Sequence, residues 1–357
     1  MNDNNYCVIL AGGVGSKLWP TSIQKKPKQF IDILGVGETL LQTTFKRISK
    51  FVKKENIIVV TNNIYEGFVT KQLPQLDKNN IVVEPLRRNT LPSAVLGTSF
   101  VVKLNPDANV MIAPADQMII DESSFEHDVL MSFAYVEKTR HILSLGVVPN
   151  KPETNYGYVQ MGMMQGDNIF LVKSFMEKPE PEMAKVLIED KEFLWNTGIF
   201  VWHGEQFLDY IHHRSLQFLP DISRDKAAEQ NRDEFLKETF SKSPNLTLER
   251  ACLEESYLTD VMLCHFGWTD LGTWHSIYEA LPKNYEKNVF MKGKVMTYDC
   301  KDCIVKMPDN KIAVLQGLDD YVVVDDNNIL VVCKKEDQGA IRKFVNDVRI
   351  NIGEDFV

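Results

Sequence analysis

Short apolar runs that alternate with helical periodicity constrain this chain more than anything else in it. Residues 6–10, 57–61, 81–83 and 109–113 are apolar segments of strand length without a polar face, the signature of strands buried on both sides. Between them, Leu41, Phe45, Ile48 and Val52 recur on one helical face behind Thr39 and Gln42 at capping-box spacing. Residues 91–103 read as a second helix. This alternation predicts an α/β fold on a doubly wound, Rossmann-like sheet, mostly parallel over the first 150 residues and mixed as a whole. Ligands bind such sheets at the carboxyl ends of the strands.

The first strand runs into Leu10-Ala11-Gly12-Gly13-Val14-Gly15-Ser16-Lys17. Three glycines let the backbone turn sharply and bring its amides close to a ligand. No acidic residue lies between positions 4 and 31, whereas Lys17, Lys25, Lys26 and Lys28 do. A glycine turn with local positive charge suits an anion such as a nucleoside triphosphate. It is neither a dinucleotide fingerprint, since Leu18 stands where the third glycine belongs, nor a Walker A loop. Asp116, just past the 109–113 strand, is expected on the same sheet edge.

Beyond residue 150 the pattern loosens. Strands are expected at 158–161, 170–175, 199–202 and 261–266, with helices near 181–190 and 206–213 and a charged helical stretch over 224–242. After Leu281 the composition shifts. Residues 282–288 read as a linker, followed by short strands at 294–298, 303–307, 312–315, 321–324 and 329–333, separated by turn residues. Ala340, Ile341, Phe344, Val345 and Val348 mark a final amphipathic helix. The expected domains are therefore 1–282, the larger, and 283–357, small and β-rich.

The chain has 357 residues, is 44% hydrophobic and 25% charged, and carries a net charge of −9. That balance offers no broad basic face for nucleic acid. No run approaches the roughly 20 apolar residues of a membrane span, and residues 1–5 lack the features of a signal peptide. Six cysteines in a chain of this length fit a reducing compartment, so a cytoplasmic location is expected. Cys300-Lys301-Asp302-Cys303 has no second pair and no histidine beside it, and reads as two strand cysteines rather than a zinc site. His212-His213 is assigned no role.

Ala-Gly-Gly-x-Gly-x-(basic)-Leu-Trp-Pro at 11–20, followed by Pro-Lys-Gln-Phe at 27–30, resembles the signature of the sugar-1-phosphate nucleotidylyltransferases, most nearly their mannose-1-phosphate guanylyltransferase branch. The resemblance implies the nucleotide-diphospho-sugar transferase type of fold, with a short β-helix as the C-terminal domain and a homodimer. It also implies that GTP and mannose 1-phosphate are joined into GDP-mannose and pyrophosphate with Mg²⁺ or another divalent cation. No isomerase domain of the bifunctional relatives follows, so a second activity is not expected.

The site residues come by the same route. Nucleotidyl transfer needs cations around two anionic substrates, in-line positioning and a metal held by one or two carboxylates. Read alone, Asp116 and Asp270 are turn or capping aspartates; the resemblance makes them the metal ligands. Lys17, Lys28 and Lys178 would be the catalytic cations. Leu10, Ala11, Gly12, Gly13, Gly15 and Ser16 would hold the nucleotide, with Glu84, Arg88, Asn89, Thr90 and Pro92 of the Glu-Pro-x-x-Arg-Asn-Thr-x-Pro loop against the base. Tyr156, Gly157, Glu177, Asn196 and Thr197 would hold the sugar, with both Gly157 and Gly198 admitting the hexose to the backbone.

The departures fall in the site. Lys17 replaces an arginine, and lysine lacks the planar fork that grips phosphate by two hydrogen bonds. Ile23 stands where a second arginine is expected. Gln117 replaces the histidine of Pro-Ala-Asp-His, and Thr247-Leu248-Glu249-Arg250-Ala251 replaces Ser-x-Asp-Tyr-Ala. Two alternatives accompany the main reading: a non-catalytic regulatory paralogue that binds nucleotide-sugar, and the same chemistry on another nucleotide or hexose 1-phosphate.

Overall fold

The computed structural model describes residues 1–214, 219–224, 230–254, 258–335 and 338–357. The chain divides into two compact units. The first comprises Met1–Gly12, Thr44–Ala115 and Ile119–Trp268, and the second Gly13–Thr43, Asp116–Met118 and Thr269–Val357.

The strands in chain order are β1 (Asn5–Leu10), β2 (Ile57–Asn62), β3 (Ile81–Glu84), β4 (Asn109–Pro114), β5 (Met118–Ile119), β6 (Ile142–Val147), β7 (Gly157–Gly166), β8 (Ile169–Glu177), β9 (Phe193–His203), β10 (Thr259–Cys264) and β11 (Trp268–Thr269). Nine of them form the sheet of the first unit in the order β3-β2-β1-β4-β9-β6-β10-β8-β7. Strands β3, β2, β1 and β4 are parallel neighbours, whereas β9 enters antiparallel between β4 and β6. The expected mixed, doubly wound sheet is what forms. Tyr6 and Val8 of β1 join the core beneath the helix Thr90–Leu104, and the intervening Cys7 and Ile9 are fully buried as well.

Periodic segments fold close to expectation. The helix expected at 91–103 spans Thr90–Leu104, and the strand expected at 199–202 is the end of the longer β9. Of the stretch 224–242, residues 225–229 lie outside the described residues, and a helix runs from Arg232 to Lys242. The helix Glu122–Thr139 was not foreseen, although Asp121 caps it and Phe125, Val129, Phe133 and Val136 mark its buried face.

In the second unit the C-terminal strands are β12 (Val289–Phe290), β13 (Lys294–Tyr298), β14 (Ile304–Lys306), β15 (Ile312–Gln316), β16 (Tyr321–Asp326) and β17 (Ile329–Lys334). Parallel pairing joins β12 to β14, β14 to β16, and β13 to β15. From β12 to β16 the pairing is thus between a strand and the next but one, which is the stacking of β-helix coils. The β16–β17 hairpin is antiparallel. Residues of the signature segment share this unit's core: Leu18 and Trp19 pack with Leu271, Trp274, Val322, Val324, Ile341 and Val345. All six cysteines are free and buried. No helix is long and apolar enough to cross a membrane among the described residues.

Gly97 fixes how closely the helix Thr90–Leu104 lies on the sheet, because a Cβ there would come within 2.5 Å of Val8 and 3.0 Å of Val60. Gly97→Ala is expected to cost about 1–3 kcal/mol of stability by overpacking, read as a lower urea midpoint. An unchanged midpoint would mean that the helix can lift off the sheet freely.

Candidate active site

In the second unit the glycine turn is held through its carbonyls. Gly13 O accepts from Gln29 Nε2 at 2.7 Å, and Val14 O accepts from Ser22 Oγ at 3.2 Å. Among the described residues, the amides of Gly13, Val14 and Gly15 donate no hydrogen bond. Such amides are what an anion needs. Gly15 has φ 61, and a Cβ there would lie 2.6 Å from Ser22 Oγ and 2.9 Å from Lys28 Cγ. Only glycine satisfies both conditions. Ser16, itself exposed, opens the turn Ser16–Leu18, and Lys17 borders a small cleft with Thr273, Trp274 and Lys335.

Lys28 is the centre of this unit's polar cluster. It is 8% exposed. Its ammonium lies 3.1 Å from Asp116 Oδ2 and donates to the carbonyls of Asp270 at 3.2 Å and Leu271 at 3.3 Å. One cation therefore brings together two aspartates that lie far apart in sequence. Asp270 Oδ1 accepts the Gly272 amide at 3.0 Å. Leu271, fully buried, is held at φ 44, a conformation that costs a non-glycine residue on the order of 1 kcal/mol or more. In that conformation its carbonyl is aimed at Lys28.

In the first unit β1 delivers Leu10, Ala11 and Gly12. The Ala11 amide donates to Val60 O at 2.8 Å, and the carbonyls of Ala11 and Gly12 accept from Thr61 Oγ1 and Asn62 Nδ2. Glu84, the last residue of β3, is buried against the same backbone: a Cβ on Gly12 would stand 2.7 Å from its Oε1. Ser93 Oγ donates to Glu84 Oε2 at 2.5 Å. Burial pushes the Glu84 carboxyl up to about 7, against smaller opposing effects of Ser93 and Arg87.

The loop after β3 is shaped by Asn89, which adopts φ 69 and caps the helix Thr90–Leu104 through its own Oδ1. Thr90 Oγ1 accepts the Leu248 amide at 2.8 Å. Pro92 is buried in the first turn. Arg88 engages the protein with its guanidinium, donating to Phe240 O at 2.8 Å and Ser241 O at 2.9 Å.

Around the end of β8, also in the first unit, Glu177 sits between two cations. Lys178 Nζ is 3.3 Å from one oxygen and Arg250 Nε 2.7 Å from the other. Burial raises the Glu249 carboxyl above its usual range, and Glu177 adds to the rise while Lys178 opposes it. Tyr156 packs edge-on against Trp195 and Trp268 at 5.1 and 4.9 Å. Asn196 accepts from Ser144 Oγ at 2.9 Å, and Thr197 Oγ1 donates to Leu145 O at 2.7 Å. At Gly157 the close approach is made by the Phe175 ring, 2.6 Å from where a Cβ would be.

Residues 6–287 match the model of the family described as Nucleotidyl transferase. The chain belongs to that family. It is 31% identical to mannose-1-phosphate guanylyltransferase RfbM of Salmonella typhimurium over 96% of this chain and 72% of the relative. It is also 31% identical to the alginate biosynthesis protein AlgA of Pseudomonas syringae pv. tomato over 95% and 70% respectively. A crystal structure from Thermus thermophilus, described as mannose-1-phosphate geranyltransferase, superposes with a TM-score of 0.84 at 25% identity. The match covers 97% of this chain and 99% of that one.

Within this nucleotidyl transferase, four contributors had no role in the sequence reading. Ser22 and Gln29 brace the glycine turn, Ser93 holds Glu84, and Arg250 pairs with Glu177. Gln29 lies inside the Pro-Lys-Gln-Phe motif and Arg250 inside the Thr-Leu-Glu-Arg-Ala segment. Ser93 had no signal, because the turn between Glu84 and the helix decides whether the two meet.

Glu84 has a folded-state pKa above its unfolded value of 4.5. Between pH 4.5 and 7 the unfolded chain therefore releases this proton first, and the native state loses stability as pH rises. Relative to Glu84→Gln, the wild-type unfolding free energy in urea is expected to fall by about 2–3 kcal/mol from about pH 5 to about pH 7.5. Parallel pH profiles for the two proteins would place this carboxyl in water.

Proposed function

We propose that this chain transfers a guanylyl group from GTP to mannose 1-phosphate, forming GDP-mannose and releasing pyrophosphate. The arrangement of Lys28 with Asp116 and the Asp270–Leu271 carbonyls carries the reading. It sets a fixed cation and two carboxylate residues beside a glycine turn with undonated amides. The relatives that share the family are named for this activity in RfbM.

In this reading the catalytic domain spans 1–282 and 283–357 forms the small C-terminal domain. Leu10, Ala11, Gly12, Gly13, Gly15 and Ser16 take the triphosphate, with Lys17 and Lys28 opposing its charge. Glu84, Arg88, Asn89, Thr90 and Pro92 form the base side. An ionised Glu84 can accept the two adjacent N–H donors on the guanine edge, a match no other common base offers to a carboxylate. Arg88 acts by fixing the loop through its carbonyl contacts. Glu177, Tyr156, Gly157, Asn196 and Thr197 form the sugar side, and Lys178 meets the sugar phosphate.

Asp116 and Asp270 would hold Mg²⁺ or another divalent cation. Both offer hard oxygen donors, and no group of three or more metal-binding side chains converges among the described residues. Substrate oxygens would complete the coordination, as is usual for Mg²⁺. When bound, such an ion neutralises phosphate charge and polarises the reacting phosphoryl group. The protein's own part is to align the sugar phosphate with the α-phosphorus and to hold lysine charge where negative charge grows.

We place the enzyme in the cytoplasm, where its six free thiols are stable, and infer a homodimer. Exposed Met296, Ile312 and Val314 on the two-stranded β13–β15 sheet are a fitting contact surface for a second copy.

Purified protein with GTP, mannose 1-phosphate and Mg²⁺ is expected to release pyrophosphate in step with GDP-mannose. No release at high enzyme, with GTP still bound, rejects the reading in favour of a non-catalytic binder. Asp270→Asn is expected to lower kcat about a hundredfold or more with the fold intact. Lys17→Arg is expected to raise the rate by restoring a bidentate grip; a clear fall would show surroundings shaped for lysine. The KM for GTP is expected to drop as pH rises through 7, where Glu84 ionises, and Glu84→Gln to remove that dependence. A KM that rises over the same range would take Glu84 out of base recognition.

A further inference from the structure

We propose that the tip of the β16–β17 hairpin positions the glycine turn for the nucleotide, so that Asp326 and Asn327 are positioning residues of the reaction; this rests on the reading above. The observation is a pair of hydrogen bonds spanning some three hundred residues within the second unit. Thr21 Oγ1 donates to Asp326 Oδ2 at 2.9 Å, and Asn327 Nδ2 donates to Pro20 O at 2.8 Å. The tip thus grips the Pro20–Thr21 dipeptide through both its main chain and its side chain.

The tip is itself built to be rigid. Asp326 Oδ2 also pairs with Lys306 on β14, and Asp326 Oδ1 accepts the Asn327 amide at 2.9 Å. Asn327 and Asn328 have φ 52 and 63, the tight-turn geometry that two-residue hairpins prefer. Two aromatic anchors work beside it. Trp19 Nε1 donates to Phe356 O at 2.7 Å, and Trp274 Nε1 donates to Trp19 O at 3.1 Å.

From Thr21 the linkage reaches the turn in one step. Ser22 is fully buried, its amide donates to Leu18 O at 3.1 Å, and its Oγ donates to Val14 O. Ser22 Oγ also fills the space where a Gly15 Cβ would stand. Residues 13–15 have no regular secondary structure to fix them. Their shape is set by Ser22 and Gln29, and Ser22 is placed by its neighbour Thr21. A reacting group displaced by even about 1 Å loses rate steeply, so this placement acts on nucleotide binding and alignment.

Two variants separate positioning from folding. Thr21→Val keeps the side-chain shape and leaves the Asp326–Lys306 pair, while removing the donor. Asn327→Gly removes the exposed amide at a φ that suits glycine. Each is expected to raise the KM for GTP about fivefold, the loss of one hydrogen bond, with the KM for mannose 1-phosphate unchanged and the thermal midpoint retained. Thr21→Ser is expected to restore the wild-type KM. Hydrogen exchange at the amides of residues 13–16 is expected to quicken in both variants, and this readout needs no turnover. An unchanged KM for GTP, or unchanged exchange, in folded Asn327→Gly protein overturns the proposal. Equal rises in both KM values also overturn it, since they mark a general loosening. A wild-type protein that makes no GDP-mannose would sink the functional reading alone, and the exchange rates would then decide this one.

Discussion

A buried ammonium cannot stand alone. Taking the Lys28 charge out of water costs several kcal/mol unless acceptors surround it. The chain supplies three from distant places, one carboxylate at Asp116 and two carbonyls at Asp270 and Leu271. Much of the second unit's local geometry answers that demand. Leu271 accepts a left-handed backbone so that its carbonyl points inward, and Gly15 lacks a side chain because the Lys28 stem occupies the space. The aspartates are brought together as a consequence.

In the first unit, several side chains that a ligand was expected to occupy are engaged by the protein instead. Arg88 ties the loop after β3 to the carbonyls of Phe240 and Ser241. Asn196 and Thr197 close hydrogen bonds to Ser144 and Leu145, where the β6–β9 register shifts. The ring of Phe175 fills the approach opened by Gly157. Such contacts make a surface stiff before anything binds, so less order has to be gained at the moment of binding.

The fold was legible where periodicity is strong. Runs such as 57–61 and 109–113 can hardly be anything but central strands, and the helix at 91–103 ended within one residue of its observed limits at each end. In helix Glu122–Thr139 the exposed Leu130 and Met131 blur the periodicity of the apolar stripe, although Asp121 is a capping signal in plain sight. For the site, the resemblance leads one to expect Asp116 and Asp270 together, but not that the Lys28 ammonium links them through one carboxylate and two backbone carbonyls. Nothing in local sequence says that Pro20 and Thr21 will be gripped from positions 326 and 327. Long-range hydrogen bonds of this kind follow from the coil stacking of β12 to β17, which composition announces only as short strands and turns.

The burial of Glu84 has a consequence beyond affinity. A carboxyl that titrates near neutrality is populated in both protonation states inside a cell, and on the proposed reading only the ionised one accepts the guanine edge. Nucleotide capture then expels a fractional proton into the buffer, so the heat of binding will scale with the ionisation enthalpy of whatever buffer receives it. Acidification then acts as a competitor of GTP, the proton taking the carboxylate that the guanine edge would use.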